Sequence, residues 1–151
     1  MEKNEVIIKK TNQLSGEEIV QIMKERTKVF VVEQNCVYQE VDDKDIDATH
    51  VIFKKDHRLV AYARVILHDN RQDMSFGRVL VVKEFRKLHL GRQLVDTTIK
   101  YIKKKYPERI IKIQAQNYLK DFYASFGFFS VSDVYLEDDI PHIDMVLNDD
   151  F

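Results

Sequence analysis

The 151-residue sequence predicts a mixed α/β fold, with a central, mostly antiparallel sheet flanked by helices. Three observations point there. Three segments rich in Val, Ile and Phe follow one another across short polar breaks, as antiparallel hairpins require. Two later segments of helical period lie between apolar strands, giving β-α-β crossovers that call for parallel neighbours. Hydrophobic residues at 44% and charged residues at 32% suit one packed domain, assigned to 1–151, and exclude a disordered chain or a disulfide-held miniprotein.

Val6 to Lys9 reads as a short first strand. Ser15-Gly16-Glu17-Glu18 is a capping box in which the Ser hydroxyl and the later Glu satisfy N–H groups at a helix start. Behind it Ile19, Ile22, Met23, Arg26 and Phe30 recur at helical spacing, predicting an amphipathic helix to about Val32. Glu33 to Asp47 is a polar, acidic loop, longer than most connections in compact domains, and such loops often carry function. Thr49 to Lys54, Leu59 to Leu67 and Ser75 to Val82 are the hairpin strands. Leu90 to Tyr106 is helical, with Leu94, Val95, Thr98, Ile99 and Ile102 on one face, and it stops before Pro107. Ile110 to Gln114 is a strand, and Asn117 to Phe126 a helix closed by Gly127. Phe128 to Val131 and His142 to Leu147 complete the sheet.

Charge and cysteine content narrow the classes further. Lys and Arg number 24 against 25 Asp and Glu, a net charge of -1, so no basic excess favours nucleic acid or an acidic membrane surface. Cys36 stands alone, which excludes an intrachain disulfide and a Cys-rich zinc cluster, and no metal is expected. The amino terminus shows no leader pattern, and no apolar run approaches the roughly 20 residues of a membrane span. A reducing, cytoplasmic setting is expected. A homodimer stays open.

The most informative segment runs from Val79-Leu80-Val81, a buried strand, through Arg86-Lys87-Leu88-His89 into a helix at Leu90-Gly91-Arg92. Free N–H groups and the positive end of a helix dipole can hold a phosphate there. Arg86, Lys87 and Arg92 add mobile positive charge, and Gly91 lets the backbone approach a ligand. On this stretch alone an ordinary strand-to-helix turn with solvated Lys and Arg reads as well.

Downstream stands Asn117-Tyr118-Leu119-Lys120-Asp121-Phe122-Tyr123-Ala124-Ser125-Phe126-Gly127-Phe128. The order R-x-x-x-x-G-x-x-L, then N-x-x-x-x-F-Y-x-x-x-G-F, resembles the GNAT superfamily of acyl-CoA-dependent N-acyltransferases from about Val79 to Val131. The resemblance implies a turn, Arg86 to Arg92, that grips the CoA pyrophosphate, with splayed strands at Val79, Leu80 and Val81 receiving pantetheine. Asn117 becomes a helix N-cap or a CoA contact, and Tyr123 the donor of a proton to the departing thiolate. A phenol, with a pKa of about 10 in solution, stays protonated at neutral pH as that role needs. One departure stands out: the family pattern R/Q-x-x-G-x-G/A has glycine where this chain has His89. If that site needs positive φ, His89 is strained there.

Arg26-x-x-Val29-Phe30-Val31-Val32-Glu33-Gln34, then Tyr38-x-Glu40-x-Asp42-x-x-Asp45 and His50, is similar to the ElaA-like branch of that superfamily. Ile140-Pro141-His142-Ile143-Asp144-Met145 also matches the branch. The likeness implies direct transfer from acetyl-CoA to a small-molecule or peptide amine. Glu40, or water beside the acidic loop, takes the amine proton. Arg26, Glu33, Asp42, His50 and His142 fall on the acceptor side. Alternatives stay open at each: carboxylates solvated or ion-paired with Arg26 and Arg64, and histidines satisfied within the sheet. Cys36 has no accompanying base and is not read as a nucleophile. Two other functions compete. Arg26, Glu40, Asp42, Asp45, Arg64 and Arg78 also resemble the acid/arginine order of acyl-homoserine-lactone synthases, which are longer. A non-catalytic acyl-CoA-binding regulatory domain is the other, favoured by His89.

Overall fold

The computed structural model describes residues 4–148, so the domain assigned to 1–151 runs past the described residues at both ends. Among the described residues eight strands form two sheets that touch along one short seam, with three α-helices packed on them. β1 (Glu5–Lys10), β2 (Thr49–Lys55), β3 (Arg58–Leu67) and β4 (Met74–Val81) make an antiparallel meander in that order. Asp56 and His57, at φ 52 and φ 66, form the two-residue β2–β3 turn, and positive φ at both centres matches the twist of a hairpin.

α1 (Gly16–Arg26) starts on the capping box: Glu18 N–H donates to Ser15 Oγ at 3.1 Å and Ser15 N–H to Glu18 Oε1 at 2.8 Å. The helix then widens over Thr27–Glu33, where Gln34 N–H reaches the Val29 carbonyl at 3.2 Å and Cys36 N–H the Val31 carbonyl at 3.0 Å. Five-residue closures of this kind are rare and gather at functional sites. Here they carry Val29, Phe30, Glu33 and Gln34 onto the wall of a cleft.

α2 (Leu90–Lys105) buries Leu94, Val95, Thr98, Ile99 and Ile102 against the sheet, the face its periodicity predicts. β5 (Lys112–Gln116) begins two residues later than the sequence suggests, because Ile111 instead makes the single parallel bridge to Met74. α3 (Lys120–Ala124) is shorter than expected, being preceded by a tight turn at Asn117–Leu119. Gly127, at φ 102, closes it with its N–H on the Ala124 carbonyl at 3.0 Å. β6 (Phe128–Ser130) and β8 (Ile140–Leu147) follow, with β7 (Tyr135–Glu137), a strand the sequence analysis missed, paired to the start of β8. The second crossover corrects an expectation. β8 inserts antiparallel between β5 and β6, so those two strands run parallel without being neighbours.

β2 and β3 are buried on both faces. Val51, Phe53, Ala61 and Val65 meet α2 and α3 in the larger core, while Ile52 and Tyr62 meet Ile22, Phe30, Leu80 and Val82 under α1. Each face is a period-2 set, as a central strand requires.

The acidic loop turns inward. Arg26, fully buried, donates from Nε to Glu40 Oε1 at 3.0 Å and from its terminal nitrogens to the two Asp45 oxygens at 2.6 and 3.0 Å. Arg64 pairs with Asp42 at 2.7 Å and Asp45 at 3.2 Å, and Arg78 donates to the Glu40 carboxylate and, at 2.7 Å, to its carbonyl. Burial works to raise the Asp45 carboxyl, but hydrogen bonds from Arg26 and the Asp42 N–H, with the Arg26 and Arg64 charges, hold it at about 2. Arg26 therefore cannot bind acceptor. Glu40, 4% exposed, accepts from Arg26 on both oxygens and from Arg78, and it does not border the cleft between β4 and β5.

His50 is also removed from the acceptor side. It is fully buried, with Nδ1 2.6 Å from the Tyr62 hydroxyl and Nε2 2.7 Å from that of Thr11. Burial, opposed by Asp45 and reinforced by Arg26 and Arg64, pushes its pKa down from 6.5 to about 4. The unfolded chain thus takes up the proton first as pH falls, so stability is full above about pH 6.5 and declines toward about pH 4. Between pH 7 and 4.5 this one group should remove about 2–3 kcal/mol from the unfolding free energy. Urea titrations should show that loss in the native protein and a flatter profile in His50→Gln; equal slopes would contradict the assignment.

Candidate active site

β4 and β5 are held together at one end and part at the other. Met74 N–H donates to the Ile110 carbonyl at 2.9 Å, and beyond this seam the strands diverge around a cleft of about 490 Å³. The cause of the divergence is a bulge. Tyr62 pairs with Leu80 but Arg64 with Gly77, so three steps on β4 face two on β3, and Arg78 takes φ 49 to absorb the extra residue. Val79, Leu80 and Val81 border the opening. Leu80 is 3% exposed with its side chain in the α1 core, leaving its backbone to the cleft.

Past β4, a tight turn at Lys83–Phe85 leads through Arg86 to His89 and the start of α2. His89 sits at φ 57, ψ 23, so the site does demand a left-handed residue, and a non-glycine there costs roughly 1–2 kcal/mol. Among the described residues no side chain caps α2, and the first bond within it is Gln93 N–H to the His89 carbonyl at 3.3 Å. The N–H groups of Leu90, Gly91 and Arg92 consequently have no helical partner and point out of a 16-residue helix at its positive end. Leu90 plugs its side chain into the core, and a Cβ on Gly91 would meet Val81 Cγ2 at an ordinary 3.8 Å. Internal packing, then, does not require glycine at 91.

Two of the three cations expected to be mobile are fixed. Arg86 donates from Nε to the Val81 carbonyl at 2.9 Å and pairs with Glu33 at 2.7 Å across the cleft rim, so Glu33 is neutralised as well. Arg92 donates to Ser125 Oγ at 2.6 Å and lies 4.6 Å from the Phe126 ring centre, clamping α2 to α3. Lys87 and Leu88 are exposed on the turn.

Tyr123 lines the same cleft, 6% exposed among Phe76, Phe122 and Phe128. Among the described residues its hydroxyl has no hydrogen-bond partner, and burial, with Tyr118 adding, pushes the phenol well above its ordinary range. The proton stays on. Asn117 caps nothing: it opens the turn before α3, where no side-chain cap forms, and it does not border the cleft.

The opposite wall comes from residues the sequence analysis placed only in part. Tyr38, Asp42, Glu137, Asp138 and His142 line it, with Asp42 tied to Arg64. The two-residue turn Asp138–Asp139, at φ 51 and φ 64, presents Glu137 and His142. A signal existed in the Asp138-Asp139 pair between Glu137 and Ile140, which has the form of the Asp56-His57 turn. Cys36 Sγ donates to the Asp138 carbonyl at 3.4 Å and Gln116 Nε2 to Gln34 Oε1 at 3.4 Å, joining the two walls. Burial pushes the Tyr38 phenol up to about 12, against the nearby Arg78 charge. Among the described residues no three His, Cys, Asp or Glu side chains gather as metal ligands, and no helix is long and apolar enough to cross a membrane.

Parted strands ending in an uncapped helix start define an acyl-CoA-dependent N-acyltransferase, and comparison with known proteins agrees. Residues 10–148 match the acetyltransferase (GNAT) domain, and the chain belongs to that family of N-acetyltransferase enzymes. Protein ElaA of Escherichia coli K12 is 39% identical over 137 residues, covering 89% of this chain and 90% of ElaA. The crystal structure of E. coli ElaA aligns with a TM-score of 0.90 at 36% identity, over 97% of this chain and 100% of that one. An acyl-CoA N-acyltransferase from Pseudomonas aeruginosa aligns at 0.91 and 34% identity, again over 97% and 100%. A CoA-dependent acyl-homoserine lactone synthase, BjaI, aligns at 0.79 with 14% identity over 98% of this chain and 85% of its own, a likeness of fold alone.

His89→Gly relieves the left-handed strain. Chemical denaturation should show a gain of about 1 kcal/mol, and calorimetry with CoA an affinity equal to or above that of the native chain. A large loss of CoA affinity would mean that the His89 side chain, not the turn's backbone, holds the ligand.

Proposed function

We propose that this enzyme transfers an acetyl group from acetyl-CoA to a primary amine by direct attack within a ternary complex, as a single unit of 1–151 in the cytoplasm. The observation that carries this reading is that the open edge of β4 and the unpartnered phenol of Tyr123 share one cleft, with the uncapped start of α2 following a few residues beyond its rim at Arg86. The N–H groups of His89 to Arg92 hold the diphosphate, with Lys87 free to add charge. Pantetheine lies along Val79 to Val81. A β4 N–H facing the cleft polarises the thioester carbonyl as charge develops on its oxygen. Holding both substrates in one cleft supplies much of the acceleration. No metal enters.

The departing thiolate needs a proton from a group that is neutral at working pH. Tyr123 is that group: buried, uncharged and with its hydroxyl uncommitted. The carboxylates of Glu40, Asp42 and Asp45, together with Arg26, Arg64 and Arg78, form an internal network, so the acid/arginine order shared with lactone synthases has a structural role here.

Tyr123→Phe keeps the ring packing and removes the proton. Thiol release from acetyl-CoA with an amine panel should fall about 10²-fold in kcat, with acetyl-CoA affinity by calorimetry unchanged. Unchanged kcat under chemistry-limited conditions would take Tyr123 out of the reaction, and binding without turnover of any amine by the native chain would favour a regulatory acyl-CoA-binding domain.

A further inference from the structure

With Glu40 buried under two arginines and His50 behind the sheet, the acceptor ammonium still has to lose a proton before its nitrogen can attack. From the geometry of the β7–β8 hairpin we infer that His142 is the general base, acting through Nε2. The inference rests on the amine-acceptor reading above and adds the residue that makes the amine nucleophilic.

A carbonyl oxygen can only accept a hydrogen bond, and His142 Nδ1 lies 2.7 Å from the Ile140 carbonyl. Nδ1 must therefore carry the hydrogen, which in a neutral imidazole leaves the lone pair on Nε2. Nε2 has no hydrogen-bond partner among the described residues, because the nearest acid, Glu137 Oε2, is 3.9 Å away. The ring borders the cleft that also contains Tyr123, and its side chain is 12% exposed, open enough to meet a substrate and close it from bulk water.

The ring is also clamped. It stacks on Tyr135 with centres 6.2 Å apart and planes 23° off parallel, and the Tyr135 hydroxyl donates to Asp144. In the sheet His142 pairs with Gln116 on one side and Tyr135 on the other. The titratable and charged groups around it are Glu137 and Tyr135 on β7, Asp144 behind Tyr135, and Asp138 in the turn held by Cys36. The Glu137 carboxylate, 3.9 Å from Nε2, attracts the incoming ammonium toward the ring. Asp42 and Glu33 cannot do so, being neutralised by Arg64 and Arg86.

The step balances as follows. One ammonium proton passes to His142 Nε2 and from there to solvent. The amine lone pair forms the C–N bond to the thioester carbon, the C–S bond breaks, and Tyr123 gives its proton to the sulfur. The second nitrogen proton, released as the tetrahedral adduct collapses to the amide, restores the phenol.

The test compares native protein, His142→Asn and His142→Gln in thiol release from acetyl-CoA with spermidine, free lysine and a lysine-containing peptide, across pH 6.5 to 10. Asn keeps an amide donor where Nδ1 stands and removes the base, while Gln places an amide at the Nε2 position. Both should lower kcat/KM for the amine about 10²-fold near neutral pH. The deficit should close toward alkaline pH, where solution supplies free amine, whereas the Tyr123→Phe deficit should not. Imidazole ¹⁵N spectra of the native protein should show Nδ1 protonated and Nε2 bare. A loss that is constant across pH, a change confined to acetyl-CoA binding, or an Nε2-protonated tautomer would each overturn the role. A native chain that binds acetyl-CoA yet turns over none of these amines would instead overturn the transferase reading, and the base with it.

Discussion

The structure depends on a separation: β4 and β5 meet at Met74 and Ile111 and then part. Two adjacent parallel strands would ordinarily pair along their whole length, since unpaired backbone groups in the interior cost several kcal/mol. The bulge at Arg78 turns β4 away, and the buried arginine–carboxylate network fixes the bulged residue by tying Arg78 to Glu40, 38 residues earlier in the chain. Such a network adds little net stability compared with apolar packing, but losing one partner strands the others at a cost of about 3–5 kcal/mol. Its effect here is geometric. It holds the acidic loop, the end of α1 and the bulge in one arrangement, and the open edge of β4 is the consequence.

That arrangement separates two environments, one at the start of α2 beyond the cleft's Arg86 rim and one within the cleft. Toward α2, uncapped amides and a helix dipole give a site for anionic charge. Toward the β7–β8 turn, Glu137 and Asp138 leave carboxylates near His142, while the remaining acids are matched by arginines. In the proposed reading a polyanionic coenzyme and a cationic amine enter from opposite ends. Tyr123, uncharged in its aromatic surround, sits where neither charge would be solvated.

Much of this was legible in the sequence, and what was not has a common cause. The Ser15 box, the α2 face, the paired hairpin strands and the Gly127 stop depend on neighbours within a few residues, and all formed. The β4-to-α2 turn and the helix that carries Tyr123 were legible as elements because motif order ties them to two successive crossovers. The bulge was not: Phe76-Gly77-Arg78-Val79 reads as plain strand, and its kink is set by a loop far away in the chain. The carboxylates of the acidic loop were expected to face a ligand, but Arg26, Arg64 and Arg78 approach from three separate elements and turn them inward. His50 and His142 both lie on strands; only the three-dimensional register puts one behind the sheet and the other in the cleft. β7, three residues long, is too short for a period-2 signal.

The central claim is that backbone amides at the start of α2 cradle the coenzyme's diphosphate, and amide NMR during a CoA titration tests it most directly. The account predicts that the largest shifts fall on His89 to Arg92, with Val79 to Val81 following as the pantetheine arm lies along β4. Saturating CoA that leaves those amides unmoved, or moves only the opposite face along α1, would contradict it.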